Sequence, residues 1–281
     1  MLGVGRVKTL KVTSPDLNLG EASALGLLQG VAEFLPISSS GHLTLAGDWF
    51  GVEEPPVALN LALHLATLLV IVVYYRKKMA SVLYPFDFEF AKAIVITSVP
   101  TAILGLGIKK GLGDFFSNAL MVSALLAMNG LALIGLTIIL RRRGGGAMES
   151  QKGDAEEIKF VPNVKQALVI GVVQGFAALP GISRSGSTIG ASRLMGIPAL
   201  AAAEYSLLAS IPVILGAALL ELKDLDQFTH LGNLMWGSLV AVLSGWISVG
   251  LLLKIVNKNA WMIWGIYCIA VGLGYGVFRY G

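Results

Sequence analysis

Charge is what this sequence has least of. Charged residues make up 14% of its 281 positions, against 55% hydrophobic ones, where a soluble domain carries about 25% charged residues. A chain so poor in charge cannot cover a water-facing surface. Cysteine is nearly absent too. Cys268 stands alone in an apolar block, which excludes an internal disulfide and a thiolate metal site and leaves a small packing residue. The net charge of +4 is not gathered into a basic stripe interleaved with aromatics, so a nucleic-acid partner is excluded. No Walker loop, dinucleotide fingerprint, HExxH or CxxC occurs. Residues 1–19 hold Arg6, Lys8, Lys11, Pro15 and Asp16 but no apolar run. They do not read as a cleaved signal, so insertion falls to later segments.

What is present is long uncharged blocks. Six reach or approach bilayer length: 57–75, 92–108, 119–140, 199–222, 232–257 and 260–279. A helix rises about 1.5 Å per residue, so about 20 residues span the ~30 Å hydrocarbon core. The shortest, 92–108, contains Pro100, which a membrane helix tolerates when neighbours satisfy the freed carbonyl. Trp49, Trp236, Trp261 and Trp264 fall near block ends, where interfacial anchors sit.

Two further apolar stretches, 22–35 and 164–179, are too short to cross. Each runs into Pro, Gly and serines, and a second short apolar piece follows, 43–50 and 187–197. Each pair reads as a re-entrant helical hairpin. The hairpins are copies: LGLLQGVAEFLPISSSG at 25–41 aligns without a gap to IGVVQGFAALPGISRSG at 170–186. The fold expected is an all-α polytopic membrane protein with six transmembrane helices plus two re-entrant hairpins. Its layout is an N-terminal extension (1–19), repeat 1 (20–140), a charged linker (141–163) and repeat 2 (164–281). Each repeat holds three spans, an odd number, so the second is inverted relative to the first. Such an arrangement sets two broken-helix tips face to face near the midplane. Arg76, Lys77, Lys78, Arg141, Arg142 and Arg143 share one side, which the positive-inside rule makes cytoplasmic; the basic N-terminal tail is the exception. The first hairpin then opens outward.

Polar residues within the apolar sequence concentrate at the hairpins, and ionisable groups at membrane depth are functional candidates by default. Gln29 and Glu33 share one helix face and can offer oxygen ligands to Mg²⁺ or Ca²⁺. Ser38, Ser39, Ser40, Ser183 and Ser185 lie where helix N-termini and hydroxyls suit phosphate oxygens. Arg184 adds a bidentate fork. Thr188 and Gln174 belong to the same second-hairpin polar set. His42 can serve as base, acid or nucleophile; Ser39, activated by His42, is a second nucleophile, and direct attack by water is the third route. His64 and Glu204 line the cavity or bond to neighbouring helices, Asn60 and Asn129 pack, Asp48 sits at the interface and His230 is solvated.

The Gln29-x-x-x-Glu33 pair, the FLPISSSGH run at 34–42 and the Pro180-Gly-x-Ser-Arg-Ser-x-x-Thr188 run resemble the signature motifs of the undecaprenyl-pyrophosphate phosphatases, also called bacitracin-resistance proteins. The resemblance extends over nearly the whole chain. It implies hydrolysis of a polyprenyl pyrophosphate to the monophosphate and inorganic phosphate in the cell membrane. That reaction recycles the lipid carrier of cell-wall glycan synthesis and confers bacitracin resistance. It also implies an active site open to the outer face. By the same resemblance Ser39 and His42 are catalytic. Glu33 and Gln29 position metal or pyrophosphate, and Ser183, Arg184, Ser185 and Thr188 bind phosphate. A homodimer is one assembly open to such a chain. The competing reading is a polyprenyl-phosphate transporter or flippase, since inverted repeats with broken helices are transporter construction. The set Glu33, Ser39, His42 and Arg184 separates the two, because binding alone needs no nucleophile or base.

Overall fold

The computed structural model describes residues 18–50, 57–113, 118–143, 160–222, 231–258 and 260–280. The described residues form eleven helices: α1 (Leu19–Phe34), α2 (Ser39–Trp49), α3 (Val57–Tyr74), α4 (Arg76–Leu83), α5 (Phe88–Gly111), α6 (Ala119–Arg142), α7 (Val164–Phe176), α8 (Arg184–Leu194), α9 (Ala199–Glu221), α10 (Leu231–Asn257) and α11 (Trp261–Tyr280). Most of the N-terminal extension, most of the charged linker and His230 lie outside the described residues.

Six helices, α3, α5, α6, α9, α10 and α11, are long and apolar enough to cross a membrane. Their outer faces carry large bare side chains, with Ile103 66%, Ile247 74% and Val277 72% exposed. Apolar surface on that scale, spread around the molecule, fits hydrocarbon and not water. The short block at 92–108 is in fact a 24-residue helix, α5, begun by Asp87 accepting from the Phe90 N–H and running through Pro100. The apolar block stops short of its ends because Glu89, Lys109 and Lys110 are charged. Helix α4 has no counterpart among the expected segments. It is pinned to α9 by a 2.9 Å ion pair between Lys78 and Glu204. Trp49 and Trp236 are exposed, as interfacial anchors are, but Trp261 is fully buried and fills the core.

The two short pairs, α1–α2 and α7–α8, begin their second helices earlier than apolar content indicates. Ser38 and Ser183 are the N-caps, their hydroxyls accepting from the Gly41 and Gly186 N–H groups. Ser39, Ser40 and Arg184 therefore stand on or beside a first helical turn. At about 1.5 Å per residue α1 is roughly 24 Å long and α2 roughly 16 Å, neither enough to cross.

Contacts between the halves follow the sequence repeat. Matching α1 with α7, α3 with α9, α5 with α10 and α6 with α11 makes the packing pairs interchange. α1 lies on α10 as α7 lies on α5; α3 lies on α10 as α9 lies on α5; α3 meets α9 and α6 meets α11. The α6–α11 crossing is backbone-close. A Cβ on Gly130 would fall 2.4 Å from the Gly265 carbonyl oxygen, and one on Gly265 2.7 Å from that of Gly130.

Candidate active site

The tips of the two short pairs meet in the interior. Ser38 Oγ accepts from the Gly181 N–H at 3.1 Å, and Ser185 Oγ donates to the Leu35 carbonyl at 3.1 Å. Asn129, in the middle of α6, holds both tips: its Nδ2 donates to the Pro36 carbonyl at 3.1 Å and its Oδ1 accepts from the Ser183 N–H at 3.0 Å. Pairing buried backbone groups in this way removes a penalty of about 1–3 kcal/mol for each one left unmade.

Glu33 is the centre of what the tips enclose. It ends α1 and is 8% exposed. Arg184, from the first turn of α8, donates Nη2 to Glu33 Oε1. Glu33 Oε2 accepts from Ser39 Oγ at 2.6 Å and from Gln29 Nε2 at 3.1 Å. A buried carboxylate is tolerable because it has this cationic partner and these donors. Two buried polar atoms in the group have no partner: Arg184 Nη1 and Gln29 Oε1. An orphaned guanidinium N–H on the residue that pairs with Glu33, which also holds Ser39, is arranged to receive an anionic oxygen.

His42 lies one turn along α2 from Ser39 but does not touch it in this structure. Its Nδ1 meets the Ser38 carbonyl at 2.8 Å and its Nε2 meets the Tyr267 hydroxyl at 2.9 Å. Ser39 donates its hydrogen bond to Glu33, and the His42 ring nitrogens meet other partners. Side-chain direction on the helix decides this, and motif order does not reveal it. Ser38, joining these residues, has φ of +67°. A non-glycine residue there carries strain, and such strain collects at functional sites.

The remaining expected residues hold the scaffold. Ser183 Oγ and Ser185 Oγ are 3.2 Å apart, and Ser38 Oγ and Ser40 Oγ 3.4 Å apart. Thr188 Oγ1 donates to the Arg184 carbonyl at 2.8 Å and also pairs with Ser206 Oγ. Gln174 donates to Thr101 Oγ1 at 3.2 Å, away from Glu33. Asp48 pairs with Arg279 at 3.1 Å and accepts from Tyr275 at the far end of α2. His64, assigned as readily to packing as to the cavity, comes closer than expected: Nε2 stands 3.9 Å from Glu33 Oε2, while Nδ1 meets the Asn60 carbonyl at 2.9 Å. Tyr267 was not foreseen. It sits in the last span with no motif around it, and only the three-dimensional packing of α11 against α6 and α2 brings it to His42.

Comparison with known proteins bears on the chain as a whole. The profile of the Bacitracin resistance protein BacA family matches residues 22–274. An undecaprenyl-diphosphatase of Desulforapulum autotrophicum is 34% identical over 285 residues, covering 92% of this chain and 97% of that protein. One of Desulfosudis oleivorans is 37% identical over 270 residues, covering 88% and 94%. One of Methanosphaera stadtmanae is 32% identical over 280 residues, covering 92% and 96%. With a match running from α1 into α11 and taking in both helix-pair tips, the chain belongs to the bacitracin resistance protein BacA family.

Proposed function

We propose that the protein hydrolyses undecaprenyl diphosphate, or a close polyprenyl diphosphate, to the monophosphate and inorganic phosphate. Bacitracin resistance would follow from that recycling of the lipid carrier. One observation carries the assignment of the site: Glu33, Ser39 and Arg184 converge at the junction of the two tips, with Arg184 Nη1 buried and unpartnered. The prenyl tail stays in lipid, and the diphosphate enters between the tips from the outer face of the cell membrane. Arg184 Nη1 binds a phosphate oxygen and offsets charge that grows in transfer. Ser39 Oγ attacks the terminal phosphorus. Its proton passes to Glu33 Oε2, the acceptor already at 2.6 Å. The bond from phosphorus to the bridging oxygen breaks and the lipid monophosphate leaves. Water then attacks the phosphoserine, giving a proton to His42; the bond from phosphorus to Ser39 Oγ breaks, Oγ takes back its proton from Glu33, and phosphate is released.

A divalent cation, Mg²⁺ or Ca²⁺, is part of the proposal. Among the described residues no group of three or more His, Cys, Asp or Glu side chains could hold one alone. Glu33 with the unpartnered Gln29 Oε1 fits an ion that takes most of its ligands from substrate phosphates and water. When bound it would neutralise diphosphate charge.

The test is phosphate release by the purified protein from undecaprenyl diphosphate, with and without chelator. Release in divalent cation, lost with chelator and regained on adding the ion back, is expected. Headgroup binding or lipid movement across the bilayer without any release would replace this reading with the flippase.

A further inference from the structure

The imidazole of His42 is anchored at both nitrogens, and the second anchor comes from the other half of the chain. The Ser38 carbonyl can only accept, so Nδ1 carries the hydrogen and, in the neutral ring, Nε2 presents a bare lone pair. The group 2.9 Å from Nε2 is the Tyr267 hydroxyl, which must then be the donor. The two rings lie 3° from parallel with centroids 5.6 Å apart. Trp264, one turn earlier on α11, meets the Tyr267 ring edge-on at 6.3 Å. His42 is 6% exposed and Tyr267 38%. The imidazole is therefore held inside while the phenol stands at the edge, with one ring face on His42. Without the phenol, the Nδ1 hydrogen bond to Ser38 is the ring's one remaining polar anchor, and Nε2 loses the group that fixes its direction.

We propose that Tyr267 is a positioning residue for the phosphatase reaction, holding His42 Nε2 in a fixed direction until water or a phosphate oxygen takes the place of the phenol. This rests on the reading that His42 acts on phosphate. It means that a base contributed by the first half is aimed by a hydroxyl contributed by the second.

Tyr267→Phe removes the hydroxyl and keeps the stacked ring. The variant is expected to show kcat roughly tenfold lower, the size of one neutral hydrogen bond. KM stays near the wild-type value, because Tyr267 does not touch Arg184 or Glu33. The thermal midpoint in detergent also stays unchanged. A second readout does not depend on turnover. In ¹⁵N-histidine spectra of the full-length protein, with His42→Gln used to assign the signals, the His42 Nε2 resonance should move toward the free-lone-pair position in Tyr267→Phe. Wild-type kcat in Tyr267→Phe, or an unmoved Nε2 resonance, overturns the inference. If His42→Gln also turns over normally, the role of His42 in the proposed function fails with it. If His42→Gln is inactive and Tyr267→Phe is normal, only the inference fails.

Discussion

At the residue scale the site depends on one buried ion pair, and its two ends answer to substitution differently. Glu33 and Arg184 have side chains 7% and 16% exposed. Removing one member of such a pair strands the other and typically costs about 3–5 kcal/mol. Arg184→Ala should therefore lose both activity and stability, which makes it a poor test of chemistry alone. Arg184→Lys is the sharper probe. Lysine can still neutralise Glu33, but it cannot aim one N–H at Glu33 and another at a phosphate oxygen in a fixed plane. We expect phosphate release by Arg184→Lys to fall by about 10²–10³, as on removal of a preorganised donor, with its thermal midpoint within a few degrees of wild type. Activity within a fewfold of wild type would mean that Arg184 is only a counter-ion. The pairing itself was legible, since a carboxylate and a guanidinium in apolar copies of one motif have few other partners. The transfer of Ser39 from His42 to Glu33 was not, because residues three apart on a helix share a face without having to touch.

Helix boundaries show why local pattern was an incomplete guide. The first turns of α2 and α8 read Ser-Ser-Gly-His and Arg-Ser-Gly-Ser and have almost no apolar content. Apolar content places the start of each helix after them, whereas the Ser38 and Ser183 caps place it before. The difference matters chemically, since it sets Ser39 and Arg184 on rigid elements instead of flexible loops. The six spans were legible because length and hydropathy suffice for them. The contact between α6 and α11 was not, because nothing in a single helix says which glycine meets which neighbour. Gly130 approaches the Gly265 carbonyl so closely that an added methyl must part the helices. Gly130→Ala should destabilise the protein by about 1–3 kcal/mol, the usual cost of overpacking, read as a lower thermal midpoint in detergent. The same strain displaces Asn129, its neighbour, from Pro36 and Ser183, so activity should fall with stability. A midpoint equal to wild type would show that the crossing can open without cost.

Across the whole molecule the repeat is nearly symmetric in packing and in its serine caps, and asymmetric in its reacting groups. The positions of Glu33, Ser39 and His42 are filled in the second copy by Ala178, Arg184 and Ser187. The second half has neither the carboxylate nor the imidazole at these positions and supplies the cation, so one site is assembled from both halves and is not duplicated in the second copy. In the proposed orientation that site opens to the outer side, with α4 and its basic residues facing the cytoplasm. A labelling experiment tests this directly. The native Cys268 is fully buried and should remain silent. Lys77 at the α4 end and Gly113 just beyond α5 are both exposed and lie at opposite ends of the spans. A membrane-impermeant maleimide added to intact cells should modify Gly113→Cys and spare Lys77→Cys, with both modified once the cells are opened. The reverse pattern would turn the Glu33–Arg184 site toward the cytoplasm, and hydrolysis would then act on lipid diphosphate at the inner leaflet.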